Sequence, residues 1–569
     1  MTHRHFKHEG WLYALAFFIA LVVRLIALGS MPLTDAEAAP ALQALRLSQG
    51  QPTSFAPHPF YILSTSIVFL IYGGGTNFLA RFTPALVGSF FVLAPLLFEN
   101  RLKPRPSLLL AFFIALDPGL TAISRQAASP IFAITFLAFT AGFINKDKLH
   151  WAMVTAAFAL LSGPSLWFGL LATGITFAIT QLFQFQKKET NDQEGETPSR
   201  QPSAFSLAIQ RFPLSTFILA FIMAGTLFFM APAGLGAAFA SLPAFIEKWT
   251  ASPTVSLGIL LISPLVYQPL ALFLAFIALV RGGLGGGRRV IYLSIWFFVT
   301  FLLSAFLPAR QMEDLAWALL PLNALAALEL VRHFTIFPNE RREVAGVMLL
   351  TVFIWVFAWL GLSGLGWLPP GTPEYNLRAG LLVGSVALLI ASLVLVAAGW
   401  SIRIAQLGGI WGLALGLGML TLGGLFGSTG IRGLNFPEMW WLPNLPIQAD
   451  LIRNTVSQVS EFGRGNDHSA SVAILGVDSP ALEWALRENP VQVVASFDPT
   501  RMPDFVITPY EMDPQIISLY RGQDFIWRQT PSWNVSDTGI WFRWATLREI
   551  PQTQEIIILW AKSDLFLDH

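Results

Sequence analysis

WLYALAFFIALVVRLIALG (residues 11–29) is followed almost at once by PLTDAEAAPALQALRLSQGQ (residues 32–51), and the contrast between the two decides the fold. The first stretch matches the roughly 20 apolar residues that a bilayer-crossing helix needs. The second is no span. Thr34 and Asp35 stand where a helix cap belongs, and Leu42, Leu45 and Leu47 give a partial apolar face, so this segment reads as a helix lying on the membrane surface. Two carboxylates, Asp35 and Glu37, are thereby held at a bilayer surface. That placement points to chemistry on a lipid-borne substrate.

The rest of the chain agrees. Of its 569 residues, 54% are hydrophobic and only 12% charged, more apolar surface than a soluble protein of this size needs. Spans are expected to begin near residues 11, 79, 107, 129, 149, 164, 213, 255, 290, 316, 343, 378 and 405, giving an α-helical polytopic membrane protein of about 13 transmembrane helices. Lys and Arg concentrate in alternate loops: Arg4 and Lys7, Arg101 to Arg105, Lys146 and Lys148, Lys187 and Lys188, Arg281 to Arg289, Arg332 to Arg342, and Arg403. By the positive-inside rule these loops and the N-terminus are cytoplasmic, in a cell (plasma or inner) membrane. HPFYILSTSIVFLIYGG (residues 58–74) would break the alternation if it spanned, so it is read as a second surface or re-entrant helix within a first external loop over residues 30–78. A net charge of +1 gives no basic face for nucleic acid, and the absence of cysteine excludes disulfides and thiolate metal sites.

The chain divides into a membrane domain, residues 1–445, and an extracytoplasmic α/β domain, residues 446–569. The second part mixes an amphipathic helix (QADLIRNTVSQVSEF) with short β-rich runs, SVAILGV, VQVVASF, DFVITP and QEIIILWAK. The polar stretch at 185–211 reads as a loop, RGGLGGGRR as a hinge, and Asn534-Val535-Ser536 as a sequon of little weight.

This layout resembles the C-type (GT-C) glycosyltransferases, in particular family 39, which includes the protein O-mannosyltransferases and aminoarabinose transferases. Asp35-Ala36-Glu37-Ala38 is similar to that family's acidic motif, and His58-Pro59-Phe60-Tyr61 to its Pro-Pro-Leu-Tyr-Tyr stretch. Phe78 to Gly88 resembles its entry to the second span, and Asp117-Pro118 with Ser124-Arg125 its Ser-Pro and Ser-Arg run. Tyr267-Gln268-Pro269 resembles a Tyr-Glu-Pro run of one branch. Two departures stand out. Gln126-Ala127-Ala128-Ser129 lacks the family's carboxylate, and Leu161-Ser162-Gly163-Pro164 lacks its lysine.

The resemblance implies an inverting glycosyltransferase that takes a sugar from a polyprenyl phosphate and passes it to a protein, lipid or glycan acceptor outside the cytoplasm. The alternative is an inactive GT-C-like subunit serving as a scaffold or lipid-handling partner in envelope assembly. In the first case Asp35 is the expected base, assisted by Glu37; read from the residues alone, both serve equally well as helix cap and dipole partner. Arg81 and Arg125 have the planar fork that suits a lipid phosphate, with snorkelling at a span end as the other reading. Arg310 is a third such cation, with Glu313 and Asp314 as local ion partners. His58, Tyr61, Asp117 and Gln268 complete the expected substrate-binding set. No cofactor is expected, and His58 has no evident second ligand for a divalent metal. Trp249, Trp367, Trp440 and Trp441 are expected to anchor at the interface.

Overall fold

The structure, a computed structural model, describes residues 6–189, 212–285, 287–433, 436–496, 502–512, 519–533 and 538–566. Most of the 185–211 loop and the whole sequon fall outside these. A helix stands at each expected span. Among the described residues seven helices are long and apolar enough to cross a membrane, and nine if each of two bent pairs counts as one. The first helix is Phe6–Leu25; Ile131–Asn145, Leu149–Leu160 and Leu214–Gly225 are shorter apolar helices.

The two bends have a common cause. Pro104–Leu116 and Pro118–Ser124 meet at 59°, and Leu257–Tyr267 and Pro269–Gly283 at 91°. Each break sits at a proline, which has no N–H to continue the ladder. At the first break Asp117 acts as N-cap, its Oδ1 accepting the Leu120 N–H at 2.9 Å. Pro118 leaves the Ile114 carbonyl without its helical donor. Arg24, fully buried in the first helix, donates to the Ile114 and Ala115 carbonyls at 3.2 Å each. The Arg24 guanidinium, a charge costly to bury inside a span, is thus occupied by backbone at a kink.

Three short helices gather at one end of the bundle: Asp35–Ser48, Pro59–Tyr72 and Ala233–Glu247. Gly73 ends the second of these at φ +83, a left-handed cap open to glycine. The third was not foreseen; Pro243 lies inside it and it ends at Lys248.

The C-terminal domain sits on the same end. Its strands are β1 (Leu445–Pro446), β2 (Val472–Leu475), β3 (Val491–Val494), β4 (Phe505–Pro509), β5 (Tyr520–Pro531) and β6 (Gln552–Lys562), in the order β1-β5-β6-β4-β2-β3. β2 pairs parallel with β3 and β4, while β6 joins β4 and β5 antiparallel. The amphipathic segment forms Ala449–Arg464, burying Ala449, Ile452 and Val456. β5 is an addition to the sequence reading, because its polar start (Arg521-Gly522-Gln523-Asp524) masks the alternation that buries Phe525 and Trp527. Trp440, expected as an interfacial anchor, is 1% exposed. It packs on Gly119 so closely that a Cβ there would lie 2.4 Å from the indole. Trp367 remains exposed.

Candidate functional site

Between the short helices and the C-terminal domain lies a chamber of about 990 Å³. Its charged wall comes from the membrane domain: Lys248, Arg310, Glu313, Asp314 and Glu438, with His58 alongside. Its opposite wall, from the ends of β5 and β6, is uncharged: Gln529, Thr530, Trp533 and Gln552 among others.

The residues flagged in the sequence are not brought together in one place. A first group joins Glu37, Arg81 and Arg125 beside a separate, smaller crevice. Arg81 grips Glu37 with both prongs, Nε to Oε1 and Nη2 to Oε2, each at 2.7 Å. It also donates to the Met31 and Pro32 carbonyls. Glu37 accepts further from the Ala127 N–H at 3.1 Å and from Thr34, whose backbone it caps. Both side chains are buried. Arg125 donates to four carbonyls, those of Val23, Arg24, Ile26 and Ala27, at 2.8–3.1 Å. Those of Val23, Arg24 and Ile26 are orphan acceptors at the end of the first helix, while Ala27 also accepts from Ser30, and a guanidinium there opposes the negative end of the helix dipole.

The second group is Asp117 and Gln268, joined by Asn323, which the sequence reading had not marked, all buried where the two broken helices meet Ala316–Arg332. Asn323 donates to Asp117 Oδ2 at 2.9 Å and Gln268 to Oδ1 at 3.4 Å. None of the three lines the chamber. Tyr61, also buried, donates to the Ala80 carbonyl at 2.9 Å and holds two helices together.

Asp35 stands apart from both. Its Oδ1 accepts from Ser479 Oγ at 2.6 Å and the Ala481 N–H at 3.1 Å, and its Oδ2 from Arg528 Nη2 at 2.6 Å. All three donors belong to the C-terminal domain. Only its neighbour Ala36 reaches the chamber wall.

Of the expected set, His58 and Arg310 do line the chamber. Gly163, at φ +109, makes room for His58: a Cβ there would meet the imidazole Nδ1 at 2.5 Å. Among the described residues that Nδ1 has no hydrogen-bond partner. Burial, with Lys248 nearby, pushes the imidazole down to about 4 despite a backbone contact at Ser162 that favours the charged form. Arg310 donates through Nε to the Val255 carbonyl at 2.8 Å and forms no ion pair among the described residues, contrary to the local pairing expected of it. Asp314 pairs instead with Lys248 at 3.3 Å, and its other oxygen caps the Gln311 N–H. Glu438 takes a hydrogen bond from Tyr267 and an ion pair from Arg548.

Lys248 was missed, although a signal existed: Glu247 and Lys248 are the only charged residues from 212 to 280. Glu438 had no comparable mark. Among the described residues no group of three or more His, Asp or Glu side chains is arranged to hold a metal ion.

A kinked polytopic bundle, short helices gathered at one end and an α/β cap over a polar chamber together define the class: this is the GT-C-type glycosyltransferase fold. The structure of ArnT from Cupriavidus metallidurans bound to undecaprenyl phosphate matches with a TM-score of 0.54 at 13% identity, covering 97% of this chain and 98% of that one. The apo form of the same protein gives 0.54 at 12% identity over the same shares. Archaeoglobus fulgidus AglB, in complex with an inhibitory peptide and a dolichol-phosphate, gives only 0.39 at 11% identity. No family model matches the sequence, and no curated protein matches it.

Proposed function

We propose that the protein is a membrane glycosyltransferase that moves a sugar from a polyprenyl-phosphate donor to an acceptor on the extracytoplasmic side. The observation that carries this reading is the chamber, with Lys248 and Arg310 on one wall and neutral polar groups on the other. Two cations suit a phosphate whose charge grows as the sugar leaves. An uncharged wall with an indole and amides suits a polyol. Among the described residues no carboxylate pairs with Arg310, and its Nε alone is tied, to the Val255 carbonyl, so its fork suits an incoming anion. The fold shared with a protein crystallised on undecaprenyl phosphate supports a lipid-linked donor.

A second reading, a lipid-handling subunit without turnover, draws on one specific observation: Asp35, Glu37, Arg81 and Arg125 are all engaged with protein partners. The test is direct. Undecaprenyl phosphate should bind the purified protein, and Lys248→Ala with Arg310→Ala should weaken that binding at least tenfold. Unaltered binding in the double variant refutes the chamber as the phosphate site. Binding without donor consumption favours the second reading.

A further inference from the structure

Resting on the transferase reading, we infer that Glu313, and not Asp35, is the general base that accepts the acceptor's proton. The argument starts from which carboxylates face the chamber and which of their oxygens are free. Glu313, Asp314 and Glu438 line it; Asp35 does not. Asp314 spends one oxygen on Lys248 and the other on the Gln311 N–H. Glu438 is held by Tyr267 and Arg548. Glu37 is closed off by Arg81, Thr34 and Ala127. Asp35 has both oxygens filled by the C-terminal domain. Glu313 alone among the described chamber carboxylates accepts no hydrogen bond and joins no ion pair.

Its position suits the task. It stands in a one-turn segment, Met312–Leu315, three residues after Arg310 and beside Asp314. The charged groups that act on it are Lys248 from the end of Ala233–Glu247, Asp314, and Glu37 from Asp35–Ser48. Lys248 sets a cation near the base, and the same cation opposes the departing phosphate. His58, whose Nδ1 is unpartnered among the described residues, is the other titratable group on the wall to weigh, but its imidazole is held neutral and charges only with difficulty, so it makes a poor proton acceptor.

The step balances as follows. The acceptor oxygen forms a bond to the anomeric carbon while the bond from that carbon to the phosphate oxygen breaks. The acceptor's hydroxyl proton passes to the Glu313 carboxylate and afterwards to water. The electron pair of the broken bond stays on the polyprenyl phosphate, which gains one negative charge opposite Lys248 and Arg310. The step changes no oxidation state and needs no oxidant or reductant.

The experiment uses the full chain in detergent, an undecaprenyl-phosphate sugar labelled in the sugar, and an extract of envelope glycans and lipids as acceptor. Glu313→Gln should lower the rate of transfer about 10²–10⁴-fold while undecaprenyl phosphate binds as in the wild type, and Glu313→Asp should restore part of the rate. The acid limb of the wild-type pH–rate profile should vanish in the Gln variant, which a merely structural role would not cause. Transfer by Glu313→Gln within threefold of wild type overturns the assignment and leaves the transferase standing. A wild type that binds the lipid without transfer overturns it in favour of the lipid-handling reading. A wild type that neither binds nor transfers overturns the function and the assignment together.

Discussion

Asp35→Asn should loosen the cap before it does anything else. The aspartate receives three hydrogen bonds from the C-terminal domain, two at 2.6 Å and one at 3.1 Å. Asparagine keeps one acceptor oxygen, enough for Ser479 and the Ala481 amide, but turns an NH₂ towards Arg528. The ion pair is lost and two donors face each other. The side chains of Arg528 and Asp35 are 16% and 26% exposed, between the surface and the buried regimes. Exposed pairs contribute under about 1 kcal/mol, and breaking a buried one costs about 3–5. Arg528 also keeps Glu555 at 2.9 Å, which softens the loss. A cost of about 1.5–3 kcal/mol follows, equivalent to roughly a 10- to 100-fold rise in the population with the cap undocked. Hydrogen exchange at Ala481 and Leu482, the first turn of Pro480–Ala485, reads that opening directly. Arg528→Gln should raise exchange at the same amides, and the double variant should show less than the sum. Unchanged protection in Asp35→Asn together with abolished transfer would refute the docking role and return Asp35 to the chemistry.

Glu37→Ala leaves the Arg81 guanidinium buried beside the Met31 and Pro32 carbonyls with no counter-charge; a loss of about 3–5 kcal/mol is expected, read as reduced thermal stability in detergent, and a shift within error would show the pair to be dispensable. Arg125→Met strips donors from four carbonyls at the end of the first helix and should fray it, seen as faster exchange of the last-turn amides up to Ile26, whose N–H bonds the Val22 carbonyl, while wild-type protection would contradict the capping role. His58 has a folded pKa depressed to about 4 from the usual 6.5, so its contribution is fully present above pH 6.5 and is lost as pH falls from 6.5 towards 4, where the unfolded chain takes up the proton first. His58→Gln should flatten the stability profile in that window, and an unchanged slope would assign the acid sensitivity to other groups. Gly163→Ala should displace the same imidazole, since the new methyl would lie 2.5 Å from Nδ1 on a backbone at φ +109, and should destabilise the protein by more than about 1 kcal/mol; no loss would mean the loop adapts.

Much of the fold was legible because hydrophobic length and loop charge are local signals. Residues 11–29 and 32–51 differ in composition alone, and the helices Phe6–Leu25 and Asp35–Ser48 follow. The kink at Asp117-Pro118 could likewise be read from a cap and a proline in sequence. The site was harder to read for a physical reason: a side chain's availability depends on who reaches it. Arg81 and Arg125 look like phosphate ligands in sequence, yet the carboxylate and carbonyls that consume them lie more than 40 residues away. Asp35 looks free until β5 arrives, and β5 was hidden behind its own polar start. Arg310 was expected to pair beside itself, but Lys248, far back in sequence, took Asp314 first.

The competition for Asp314 explains how the chamber keeps its charge pattern. Had Arg310 paired with Asp314, its guanidinium would be neutralised and Lys248 left without a carboxylate. Instead the lysine, whose three donors serve Gln311 at 2.8 Å as well as Asp314, accepts the structural bond, and the planar fork of arginine is tied at Nε alone. The same short segment thereby presents a cation free to grip an oxyanion and, three residues on, a carboxylate free to take a proton. Exchanging the two cations tests this division of labour. Lys248→Arg with Arg310→Lys preserves net charge but places the fork at Asp314, where it can engage both carboxylate oxygens and displace the Gln311 amide. Affinity for undecaprenyl phosphate should fall about tenfold or more although no charge has changed. Retained affinity would mean that the chamber recognises phosphate by charge alone, and that the geometry of Arg310 is incidental.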